Sequence, residues 1–208
     1  MIGHKILMAL TGIALIAFLI AHLVGNLAIF SGQDSVNTYA AFLKSMPKVL
    51  WTLRIGLILV FVTHIWTSVR LTLHNRCARP VSYTYNQSVR ASVASRTMML
   101  SGLVVLSFVL FHLAHLTWGL VSPEQFSLVD EQGRHDVYMM TVLGFQNTYL
   151  AAFYIIAQIL LAMHISHGFA SAARTFGFKM IRSVGQVFAV VTATLYISIP
   201  LSIWSGLI

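Results

Sequence analysis

Apolar residues along this chain gather into five long stretches, about residues 6–30, 50–73, 97–120, 148–173 and 183–207, separated by short polar connections. Each stretch is long enough for a helix to cross roughly 30 Å of hydrocarbon, and none contains an acidic residue. The pattern predicts an all-α membrane protein, a five-transmembrane-helix bundle forming one domain over residues 1–208. Pro47 and Pro123 fall just outside spans, where helix ends tolerate them, whereas Pro200 lies inside the fifth and predicts a kink there. The first stretch exceeds the 7–15 apolar residues of a signal peptide and no A-x-A site follows it, so it reads as a retained span. No internal repeat is evident.

Composition agrees. Of the 208 residues 58% are hydrophobic and 9% charged, where soluble domains carry about 25% charged residues. Mean hydropathy is +0.82. The single cysteine, Cys77, excludes an intramolecular disulfide and a cysteine-held iron–sulfur cluster within the chain. Any cofactor chemistry therefore rests on the nine histidines. The net charge of +8 sets orientation in a membrane protein and does not imply nucleic acid. If the five spans alternate, Lys5, Arg70, Arg76, Arg79, Arg90, Arg96, Arg174, Lys179 and Arg182 share one side. The opposite side holds Lys44, Lys48, Arg54 and Arg134 with all five acidic residues. The positive-inside rule then places the N-terminus in the cytoplasm and the C-terminus outside. The basic connection over residues 74–96 is a positive-inside loop or a docking surface for a cytoplasmic partner. The acidic connection after the third span is expected to cap the outer face, with His135 solvated within it.

Six histidines fall inside spans, and four of them, on four different helices, fall at two matched depths. His22 and His112 each lie about eight residues, roughly 12 Å, from the outer end of their spans. His64 and His164 each lie about ten residues from the inner end of theirs. An isolated intramembrane histidine most simply makes an interhelical hydrogen bond or lines a proton path. Two pairs at two matched depths instead suit bis-histidine ligation of two haem irons, stacked along the membrane normal. Zinc would be left short of its four ligands, since no carboxylate is near. Gly12, Gly56, Gly102 and Gly168 supply room for close approach of a flat macrocycle. His115 and His167 each lie three residues beyond a candidate ligand, on nearly the same face, and depth alone does not separate them from His112 and His164.

The segments AHLVGN around His22, FVTHIW around His64, SFVLFHLAH around His112 and FYIIAQILLAMHISHG around His164 resemble the five-helix, dihaem cytochrome b membrane anchor of succinate:quinone oxidoreductases, the succinate dehydrogenase/fumarate reductase family. The likeness runs over essentially the whole chain. It implies two haems b, a proximal one held by His64 and His164 and a distal one held by His22 and His112, and it favours His112 over His115 and His164 over His167. It also implies a flavoprotein subunit with FAD and an iron–sulfur subunit on the cytoplasmic side, a quinone (menaquinone favoured), and a bacterial-type cytoplasmic membrane. By the same resemblance the chain itself would perform no dicarboxylate chemistry, and quinone reduction or oxidation at this subunit is compatible with it. Asn26, His115, His167 and Trp118 are candidates for quinone or supporting contacts; Arg54, Arg70 and Arg96 are candidate propionate partners. Unlike some members of that family, the chain has no intramembrane glutamate, which removes a glutamate-based proton path from the expectation. Two other readings compete: a dihaem cytochrome b serving a hydrogenase or formate dehydrogenase, and a haem-free transporter whose histidines relay protons. The transporter would favour acidic residues and broken helices within its spans.

Overall fold

In hydrocarbon a backbone must satisfy its own N–H and C=O groups, which leaves the helix as the structure open to an apolar run of this length. A computed structural model describes residues 2–78, 97–178 and 182–208. Its helices are α1 (Ile2–Leu27), α2 (Gln33–Ser45), α3 (Pro47–Cys77), α4 (Met98–Leu116), α5 (Pro123–Phe126), α6 (Val137–Gln146), α7 (Thr148–Thr175) and α8 (Arg182–Trp204), with a single 3-10 turn at Ala28–Ser31. Five of them, α1, α3, α4, α7 and α8, are long and apolar enough to cross a membrane. Among the described residues the only β-pairing is an isolated bridge between Val129 and His135. The chain is thus an all-α, five-span membrane bundle.

The connections hold more structure than the hydrophobic pattern predicts, because α2 and α6 are additional helices. The third span also stops at Leu116 rather than near residue 120. There the backbone turns through Gly119, whose φ of +64° suits glycine. The 74–96 connection lies almost entirely outside the described residues.

Helix ends follow local chemistry. Pro47 occupies the first turn of α3, where its missing N–H costs nothing. Asn147 caps α7 by accepting from the N–H groups of Tyr149 and Leu150 at 3.0 and 3.3 Å. Asp136 caps α6 by accepting from Met139 N–H at 3.0 Å.

Helix α7 is central, packing on α1, α4, α6 and most extensively α8. Small residues permit the last contact: a Cβ added at Gly185 of α8 would meet the Ser166 carbonyl of α7 at 3.0 Å. By contrast, among the described residues α3 packs mainly on α1 and α2, and Thr67 is its one buried residue. The buried core gathers at the end of the bundle that carries α2, α5 and α6, around Ile29, Val36, Phe108, Val142, Phe145, Tyr154, Ile199 and Ile203.

A polar network ties this end shut. Asn37, fully buried on α2, donates to Asp130 at 3.1 Å and to Asp136 at 2.9 Å, and accepts from Tyr138 N–H at 3.1 Å. Gln33 donates to Asp136 at 2.7 Å. Arg134 bridges Asp130 at 2.7 Å and Asp34 at 2.9 Å, and donates to the Thr38 hydroxyl at 2.7 Å. The expected acidic cap is therefore an ordered one. Burial works against the Asp130 carboxylate, but hydrogen bonds from the Arg134 backbone and side chain, Asn37 and Gln132 outweigh it and hold its pKa at about 2. Bonds to Asp130 and Asp34 raise that of Arg134. His135 is not simply solvated. It is half-buried and lies against the Phe126 ring, with centroids 4.9 Å apart, and burial lowers its pKa, aided by nearby Lys44.

Candidate functional site

The four span histidines form two tiers. On α1 and α4 a hydroxyl residue and a glycine precede the histidine at the same distance: Thr11-Gly12 before His22, Ser101-Gly102 before His112. The eleven intervening steps place the tiers about 16 Å apart along each helix.

At the first tier His64 of α3 reaches α1, and His164 of α7 reaches α4. Thr11 Oγ1 lies 3.1 Å from His64 Nδ1, and Ser101 Oγ lies 3.1 Å from His164 Nδ1. Each hydroxyl also faces carbonyls of its own helix. Thr11 is 2.8 Å from Leu7 O, and Ser101 is 3.0 Å from Met98 O. A hydroxyl carries one proton. If that proton is directed at its own helix, the ring donates through Nδ1–H and Nε2 keeps its lone pair; if it is directed at the ring, the roles reverse. The adjacent glycines lie against the rings: a Cβ at Gly12 would sit 3.5 Å from His64 Cε1, and one at Gly102 3.6 Å from His164 Cε1, both ordinary contact distances. The same addition at Gly56 or Gly168 meets nothing within 4 Å.

At the second tier the His22 and His112 rings are neighbours in an edge contact, centroids 5.9 Å apart and planes at 87°. Phe18 stacks on His22 at 5.4 Å, and Phe108 and Tyr154 flank His112 at 5.8 and 6.0 Å. His112 Nδ1 is buried with no hydrogen-bond partner among the described residues. Two metal–nitrogen bonds of about 2 Å each, with the ring radii, separate two imidazole centres by roughly 6 Å.

The flanking candidates separate. His115 is 2% exposed, hydrogen-bonded through Nδ1 to the Tyr154 hydroxyl at 2.9 Å, with Nε2 against Gly144 of α6. It is enclosed by α4, α6 and α7 and does not face His22. His167 is half-buried on α7. Asn26 spends its amide N–H on the His22 carbonyl at 2.7 Å, and Trp118 is exposed. Arg54 and Arg70 stack on tryptophans of their own helix, Trp51 and Trp66, at 5.4 and 5.6 Å. Arg96 lies outside the described residues. Among the described residues no group of three or more His, Cys, Asp or Glu side chains converges to hold a bare ion.

The tiers expose an internal repeat that the apolar pattern hides. Thr11, Gly12, Phe18, His22 and Leu23 recur ninety positions later as Ser101, Gly102, Phe108, His112 and Leu113, and the His-Ile pair at 64 recurs at 164. The α1–α3 and α4–α7 hairpins are two copies of one plan. The expectation of no repeat is corrected.

No family model, curated protein or solved structure matches the chain.

Proposed function

We propose that this chain is a dihaem cytochrome b serving as the membrane anchor of a succinate dehydrogenase or fumarate reductase. The observation that carries the reading is the paired arrangement: two histidine tiers on four helices, one pair in ring contact at 5.9 Å. In the other pair each histidine Nδ1 lies at hydrogen-bond distance from a hydroxyl on another helix. Histidine pairs without a third ligand suit a planar group that brings its own equatorial donors better than they suit a bare metal ion. His22 and His112 would hold the distal haem b, His64 and His164 the proximal one. Bound there, haem supplies one-electron redox chemistry, and two centres in series carry electrons across much of the bilayer. The protein's part is to fix the rings, exclude water and set the spacing of the tiers.

The positive-inside distribution supports a cytoplasmic N-terminus, placing the first tier nearer the side on which a flavoprotein with FAD and an iron–sulfur subunit would dock. The second tier then lies toward a quinone, menaquinone by the same resemblance, in a bacterial-type cytoplasmic membrane. His115 and His167 are read as supporting residues.

The test is a dithionite-reduced minus oxidised spectrum with haem quantitation on the purified chain and on His→Ala variants at 22, 64, 112 and 164. About two haems b per chain are expected from the bis-histidine count, with losses sorting into the pairs 22/112 and 64/164. Colourless protein from haem-replete cells would overturn the reading and leave the histidines as packing or proton-relay groups.

A further inference from the structure

We infer that Thr11 and Ser101 are positioning residues that fix the tautomer, orientation and donor strength of His64 and His164. The inference rests on the haem reading above. Both hydroxyls sit at hydrogen-bond distance from Nδ1 of a histidine on another helix. Both have a carbonyl of their own helix at least as near, Leu7 O for Thr11 and Met98 O for Ser101. The O–H therefore points back along its helix and the hydroxyl oxygen accepts from the ring. Nδ1 carries the proton, Nε2 is free to ligate, and the accepting oxygen enriches the imidazole as a donor.

The repeat argues against coincidence. Residues 11 and 101 are equivalent positions in two hairpins, and each makes the same contact to the equivalent histidine. A serine or threonine in a membrane helix can satisfy its own hydroxyl by intrahelical bonding, so packing alone does not call for the second contact. The following glycine in each copy, Gly12 and Gly102, lies against the same ring, its Cβ position 3.5 and 3.6 Å from the histidine Cε1. The second tier lacks the device: His112 Nδ1 has no partner among the described residues, and aromatic rings flank the histidines instead. The two tiers are thus built to differ electronically.

A richer donor stabilises the oxidised metal, so removing the acceptor raises the potential of the first-tier centre. The full chain, in membranes with its haem, would be prepared as wild type, Thr11→Val, Ser101→Ala and the double variant, with Thr11→Ser and Ser101→Thr as conservative controls. Haem content, midpoint potentials and the low-spin EPR signals, which depend on the angle between the two imidazole planes, are the readouts. The expected result is an upward shift of one of two midpoints and a moved EPR signal for that centre. The other centre stays unchanged, and the conservative variants behave as wild type. Selective loss of one haem, restored by the conservative variants, also supports the inference. Unchanged potentials and signals at full haem content, or equal shifts of both centres, would overturn it while leaving the haem reading intact. Wild-type chain without haem would overturn the haem reading itself. If Thr11→Val fails to reach the membrane, Ser101→Ala, which only deletes an oxygen, decides the matter alone.

Discussion

Replacing Asp136 with alanine removes three acceptor contacts at once: to Met139 N–H at the start of α6, to the buried Asn37 amide and to the Gln33 amide. Loss of the cap costs about 1 kcal/mol. Asn37 keeps Asp130 at 3.1 Å but loses its shorter carboxylate bond inside the protein, worth about 1.5–3 kcal/mol. Exposed Gln33 turns to water and adds little. Together these come to about 3 kcal/mol, a loss of roughly 100-fold in the closed-to-open ratio of this end of the bundle. Asparagine at the same place is a sharper probe. It caps helices as well as aspartate does, and its carbonyl can keep the Asn37 and Met139 bonds. Its NH2 then meets Gln33, which flips its exposed amide to accept. The expected cost is about 1 kcal/mol or less. Protease sensitivity of the 117–147 connection in reconstituted protein measures the opening equilibrium directly. Equal sensitivity of the alanine and asparagine variants, or an alanine variant as resistant as wild type, would refute the bond-by-bond reasoning.

Acid should open the same end. The Asp130 carboxyl falls from its ordinary 3.8 to about 2 in the folded chain, so its contribution is complete above pH ~4 and is lost as pH falls toward 2. Protease protection titrated over that window should fall in wild type and lose the Asp130-dependent part in Asp130→Asn. Gly119→Ala forces a left-handed backbone on alanine and drives its Cβ to within 2.4 Å of the Phe126 ring. Gly133→Ala, with φ +73° but nothing within 4 Å, faces only the backbone cost of about 1–2 kcal/mol. Thermal melts should show Gly119→Ala as the more damaging by about 1–3 kcal/mol, and equal melting would count against the Phe126 contact. Tyr154→Phe leaves both His115 ring nitrogens unpartnered in the interior, and a loss of about 1–3 kcal/mol in a denaturant titration is expected.

The spans were legible because nothing in an apolar run of twenty residues competes with a helix in hydrocarbon. Their connections were harder. The α2 sequence QDSVNTYAAFLKS is mostly polar and half exposed, and its fixing residue, Asn37, gains meaning only against Asp130 and Asp136, about a hundred positions away. The ten-residue α6 is apolar but too short to span, so it passes for loop. Candidate ligand histidines were visible as polar residues at membrane depth. Their neighbours were not, since Thr11 and Ser101 look like tolerated small residues until the partner helix is placed. His115 shows the limit of helical spacing: three residues turn a helix through 300°, and the remaining 60° carries its ring from the face of His112 to the α6–α7 interior. The repeat was obscured because its identities are spread among interchangeable aliphatic residues, and because the longer second connection shifts the offset from ninety to one hundred.

Each hairpin brings one histidine to each tier, His22 and His64 from the first, His112 and His164 from the second. Neither half can complete a pair alone. Anything gripped between the rings of a tier therefore staples one half of the chain to the other, at two heights about 16 Å apart. A single staple would leave a pivot, but two forbid rotation of one hairpin about the other. Occupancy of both tiers would then become a test of assembly, and in a chain that fails it the described part of α3 rests mainly on α1 and α2.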